Sequence, residues 1–296
     1  MTFRENPEMK GIKYIQRVSL LITIMVFSCT LHAQNSVLNE QLSTYYFEHD
    51  ETPQLKSFNR LDQLVNQLER KRRKQENDVQ FLKSLFYRTH HKILRKYSKL
   101  ASMNEMIEKG SYGCLTGTIL YALLLDHFQF NYEVIELPNH VFLKVKLNDQ
   151  NVFFESTLAN EGFITNQDHI ALNEANVSTK NTNWLQVISE KTEGMNHNEP
   201  FKIIGLRELS ALQHFNESVL LYKNKSYVES ITHAIEAYYL YPTEKNEMLM
   251  QLVLNKILTD QHLQGKEKEA LVEQYKTIRS SVQQQSFHAA LTPASK

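Results

Sequence analysis

Cys114, His140 and Glu155 are the residues whose types and spacing suit acyl transfer. A thiol attacks only as thiolate, and a helix N-terminus favours the thiolate through its unpaired N–H groups. Cys114 stands where such a terminus is expected, after Gly113 and ahead of the apolar run Leu115 to Leu125. The nucleophile also needs a base within hydrogen-bond reach and a third group to orient that base. His140 opens one predicted strand and Glu155 closes the next. A hairpin turning at Asn148-Asp149-Gln150 and centred near Asn148 would set the two across from each other. The backbone N–H of Cys114 is the favoured oxyanion donor, with Tyr112 and Asn139 as further candidates. Alone, Cys114 reads as a buried thiol, His140 as a structural histidine and Glu155 as a strand-end charge. The order and spacing of the three outweigh those separate readings.

The elements that must position these residues are a buried helix and a small antiparallel sheet. The stretch 115–125 is apolar almost all round, which suits a helix in the middle of a domain. Tyr132–Glu136, His140–Lys146 and Val152–Glu155 alternate like strands, with Pro138-Asn139 as a break. Upstream, Leu61, Leu64, Val65 and Leu68 predict a helix capped by Ser57 or Asn59. A second helix is expected from about Glu76 to Tyr97, with His90 and His91 on it as packed or solvated residues. Residues 158–200, with Trp184 and an Asn-rich stretch from Asn173 to Asn183, read as loops with short helices. Helices are expected at His214–Lys223, Tyr227–Tyr239, Glu247–Leu258 and Lys266–Ile278, followed by a disordered tail from about Val282.

The N-terminus reads as a signal peptide over residues 1–33. Arg4, Lys10, Lys13 and Arg17 precede an apolar run, Val18 to Cys29, that is shorter than the ~20 residues of a membrane span. Cleavage after Ala33 ranks ahead of lipidation at Cys29, because Phe27 suits a lipoprotein box poorly. The mature protein would then be periplasmic or secreted, without a transmembrane span. The chain has two cysteines, so removing Cys29 leaves Cys114 as the one thiol, with no internal disulfide to form.

The segments Tyr112-Gly113-Cys114-Leu115-Thr116-Gly117, Asn139-His140-Val141-Phe142 and Phe154-Glu155-Ser156-Thr157 resemble the transglutaminase-like branch of the papain-like fold. That resemblance implies an α+β core with a Cys–His–acid triad, here Cys114, His140 and Glu155. Glu155 stands where aspartate is usual. The helical prelude and trailing helices resemble a bacterial group in which such a core is followed by tetratricopeptide-like repeats. Tyr227, Ser230, Ala237, Leu240 and Pro242 fit one degenerate repeat unit. The expected organisation is a signal peptide over 1–33, a prelude and core over 34–200, tetratricopeptide-like helices over 201–283 that pack on the core, and a tail over 284–296.

With 33 basic and 33 acidic residues the chain lacks the basic excess of a nucleic-acid-binding protein. The run Arg70-Lys71-Arg72-Arg73-Lys74 reads as the solvated end of a helix. No metal site, phosphate-binding glycine loop or other cofactor motif is evident. Two functions remain open. One is an amidase, peptidase or acyltransferase acting on a peptide or protein amide. The other is a non-catalytic scaffold whose helical C-terminus binds a protein partner. A redox role ranks last, since no second cysteine accompanies Cys114.

Overall fold

The computed structural model describes residues 38, 40–46, 55–165, 201–260 and 265–291. Contacts divide the chain into a unit of residues 1–44 and a unit of residues 45–296, and the helices and strands from Leu55 onward belong to the second. The signal-peptide stretch 1–33 with Cys29, the Asn-rich stretch 173–183 and Trp184 lie outside the described residues.

The fold mixes helices with one antiparallel sheet. Helix α1 spans Leu55–Arg72 and α2 spans Asp78–Lys92. Ser57 and Asn59 sit inside α1 rather than capping it, because Leu55 and Phe58 extend the apolar series one turn back. At its far end Arg72 pairs with Asp78 at 2.6 Å and lies over the Phe81 and Phe130 rings. Helix α2 stops five residues before the expected Tyr97. The N–H groups of Arg95 and Lys96 both donate to the Gly110 carbonyl, drawing the chain out into strand β1, Lys96–Tyr97. It pairs in parallel with β2, Ser111–Tyr112.

Between them lies an unforeseen helix, α3, Met103–Lys109. Its signal was present in the sequence: Ser102 and Glu105 form a reciprocal capping box ahead of buried Met103, Met106 and Ile107. Gly110 ends it in the left-handed conformation at φ 76°.

Helix α4, Cys114–His127, is the buried centre. Strands β3 (Tyr132–Leu137), β4 (His140–Lys146), β5 (Asn151–Phe154), β6 (Phe163–Thr165) and β7 (Lys202–Ile204) form a sheet of order β6-β5-β4-β3-β7. Strand β6 falls where loops were expected, and β7 where the helical region was expected to begin. Each has three residues, too few for a periodic signal, and each exists by pairing on an edge, with β5 and β3 respectively. Strand β7 also carries the sheet past the expected boundary at residue 200.

Val134, Leu143, Val145, Val152 and Phe154 line one face of the sheet, all buried. Helix α4 packs there, Tyr121 meeting Phe154 at 5.2 Å between ring centroids. On its other side Tyr121 stacks on Phe86 of α2 at 5.2 Å and donates to the Phe86 carbonyl. The opposite face of the sheet carries Ile135, Phe142, Phe153 and Ile164.

Four helices follow: α5 (Leu206–Lys223), α6 (Tyr227–Leu240), α7 (Glu244–Thr259) and α8 (Gly265–Leu291). Helix α5 begins eight residues before the expected His214, where Gly205 N–H donates to Glu208. It packs against α4, so the helical layer lies on the core. Ser218 and Ser230 each donate to the other's backbone carbonyl, joining α5 to α6 closely. Helix α8 continues past Val282, into the stretch expected as a disordered tail.

Candidate active site

Cys114 opens α4, with Gly113 as its N-cap residue. The Gly113 N–H donates to Thr116 Oγ1, while the first-turn amides of a helix, that of Cys114 included, have no partner within it. Gly113 serves the chain rather than a substrate: a Cβ there would lie 2.8 Å from the Lys99 carbonyl oxygen. One turn on, a Cβ on Gly117 would meet the Ser156 side chain at 2.8 Å. Ser156, buried in that notch, donates to the Cys114 carbonyl at 3.3 Å. This contact docks the segment after β5, which carries Glu155, onto the start of α4.

The imidazole of His140 lies between two partners. Its Nε2 is 2.5 Å from Oε2 of Glu155, and the ring lines the same cleft as Cys114. Burial alone would lower the His140 pKa, but its interactions with Cys114 and Glu155 outweigh it and raise it to about 10. The ring therefore holds its proton at neutral pH and can deliver it to a leaving group.

Glu155 is fully buried at 0 % exposure, yet neither oxygen is idle. Oε1 accepts from the Thr157 N–H at 2.8 Å and from its hydroxyl at 2.5 Å, leaving Oε2 for His140. The extra methylene of glutamate thus leaves a carboxylate held at both oxygens. Thr157 was not foreseen as a positioning residue; the acceptor two residues before a hydroxyl was its available signal. Gly162 supports the same carboxylate from behind. The Glu155 N–H donates to the Gly162 carbonyl at 2.8 Å, and a Cβ on Gly162 would fall 2.0 Å from the Glu155 carbonyl oxygen.

Cys114 and His140 open into a cleft of about 380 Å³. Asn139 lines it beside them. Tyr112, the other oxyanion candidate, does not: it is buried, its ring 6.0 Å from Tyr97 and 5.7 Å from His90. His90 is buried behind the site against Phe86 and Tyr121, and burial pulls its pKa down to about 4. His91 is exposed. The far wall was invisible in the sequence reading. Leu212, Phe215, Asn216, Val219 and Lys223 recur at helical spacing, so one stripe of α5 forms it, with Lys245 of α7 beside it.

Among the described residues, no group of three or more His, Cys, Asp or Glu side chains is placed to hold a metal ion. Nor is any described helix long and apolar enough to cross a membrane. Comparisons with protein-family models, with curated proteins and with solved structures return no match to this chain.

Proposed function

We propose that this protein is a transglutaminase-like cysteine enzyme that cleaves or transfers peptide amides through a thioester. One observation carries the reading: an imidazole that lines the cleft with Cys114, at a helix start, and is hydrogen-bonded to a fully buried carboxylate, Glu155. Such an arrangement stores a proton on His140 beside the sulfur that serves as nucleophile.

In the first step the Cys114 sulfur bonds to the amide carbonyl carbon, and the carbonyl π pair moves to oxygen, facing the Cys114 N–H. The C–N bond then breaks as His140 gives its proton to the departing nitrogen, leaving a thioester. Water or an amine next attacks the thioester, gives its proton to His140, and the C–S bond breaks. Water makes the protein an amidase or peptidase; an amine makes it an acyltransferase. Glu155 orients the ring throughout and balances its charge. The basic segment and apolar run before Ala33 support a site of action outside the cytoplasm.

The test is the pH profile of Cys114 alkylation by iodoacetamide, beside His140→Ala. Reaction well below the ~8.5 of an ordinary thiol, lost in the variant, supports the catalytic pair. An ordinary thiol profile that ignores His140 would sink it. It would leave a peptide-binding scaffold, a reading supported by the α5 stripe in the cleft wall.

A further inference from the structure

Three lysines from distant parts of the chain line the cleft. Lys99 precedes α3, Lys223 ends α5, and Lys245 lies in the first turn of α7. Among the described residues none of the three pairs with a carboxylate, whereas Lys144 and Lys146 on the sheet both pair with Glu133. Lys245 Nζ instead sits 4.5 Å from the centre of the Phe215 ring. One described carboxylate lines the cleft, Glu136, and its Oε2 accepts from the Tyr241 hydroxyl at 2.9 Å. The whole chain has equal numbers of basic and acidic residues, so this local excess does not reflect general basicity. Like charges held around one concave site repel, and an anion entering it relieves that repulsion. Between the lysines the wall is apolar, with Leu212, Phe215 and Val219, which suits side chains of a peptide rather than a bare ion.

We infer that the cleft selects an acidic peptide, seating a substrate carboxylate against Lys99, Lys223 and Lys245 while the reacting amide lies at Cys114. The inference deepens the proposed function and rests on it for the chemistry, though the binding can be read separately.

The experiment uses the full chain carrying Cys114→Ser, so that binding is measured without reaction, and three labelled hexapeptides followed by fluorescence anisotropy at low salt. One is amidated with glutamates flanking a central glutamine. The second has lysines in place of those glutamates. The third is neutral with a free C-terminal carboxylate. The glutamate peptide is expected to bind about tenfold or more tighter than the lysine peptide, and to weaken as salt rises. Lys99→Met, Lys223→Met and Lys245→Met together should erase that preference, with the single variants read in turn if the triple variant fails to fold. Tightest binding by the third peptide, with the same loss, would make the chain end the recognised carboxylate. Equal affinity for the glutamate, lysine and neutral peptides, or a preference that survives all three substitutions, overturns the inference. A failed alkylation test on Cys114 would strike the chemistry and leave this result standing.

Discussion

The Glu155 carboxylate reaches the His140 imidazole along the diagonal of the β4–β5 ladder. The register pairs Leu143 with Phe154, so its continuation sets Glu155 against Phe142, two residues from His140 on the same face. Diagonal neighbours stand ~7–8 Å apart, beyond directly opposed pairs. Glutamate spans that distance and still offers its second oxygen to Thr157.

Glu155→Asp should therefore be far from conservative. A shorter carboxylate gives up either His140 or Thr157, and alkylation of Cys114 at about pH 6 should slow about tenfold. Glu155→Gln keeps the length and removes the charge. It should lower the His140 pKa and move the whole profile toward that of an ordinary thiol. An aspartate variant with the parent profile would refute the diagonal argument.

Thr157→Val removes the hydroxyl but keeps the shape and the backbone donor. A hydrogen bond to a charged group is worth about 1.5–3 kcal/mol. Part of that should appear as slower alkylation at low pH, with little change at alkaline pH, where any thiol ionises. Thr157→Ser should restore the parent profile, which a packing role for the methyl group would not allow.

Gly162→Ala tests the support behind Glu155. The new Cβ would overlap the Glu155 carbonyl oxygen, so the backbone must move. Urea denaturation should show a loss of about 2 kcal/mol or more, together with loss of low-pH alkylation. Gly265→Ala is the comparison. Nothing lies within 4 Å of a Cβ there, and the change should be neutral or slightly stabilising.

Stability should fall on both sides of neutrality. His90 and His214 have pKa values lowered by burial from 6.5 to about 4. Between those values the unfolded chain takes up protons that the folded chain refuses, so stability drops as pH falls from 6.5 to 4. His140 acts in the opposite sense. Its value is raised from 6.5 to about 10, so its contribution is full below 6.5 and is lost as pH rises through 10. Denaturation midpoints across this range should show both limbs. His214→Gln should flatten the acid limb alone; an unchanged acid slope would remove His214 from the account.

Local pattern determined a good deal of this protein. The apolar run after Cys114 is long enough to specify a buried helix whose first residue is the thiol. Alternation around Pro138-Asn139 and Asn148-Asp149 specifies β3, β4 and β5 and puts His140 and Glu155 at strand ends. Both periodicities arise within a few residues and need no partner. Tertiary structure decided the rest. Strands β6 and β7 are too short to carry a period and form only because sheet edges were there to pair. The hairpin centre falls between Asn148 and Asp149, one residue past the midpoint of His140 and Glu155, so the two are diagonal rather than opposed. The docking of the Glu155 segment on the start of the Cys114 helix involves Ser156 seating over Gly117, a contact between residues that no local rule connects. The three cleft lysines come together only once α5 and α7 pack beside the core. A charge carries no local signature of what it will face, so that site becomes legible only in three dimensions.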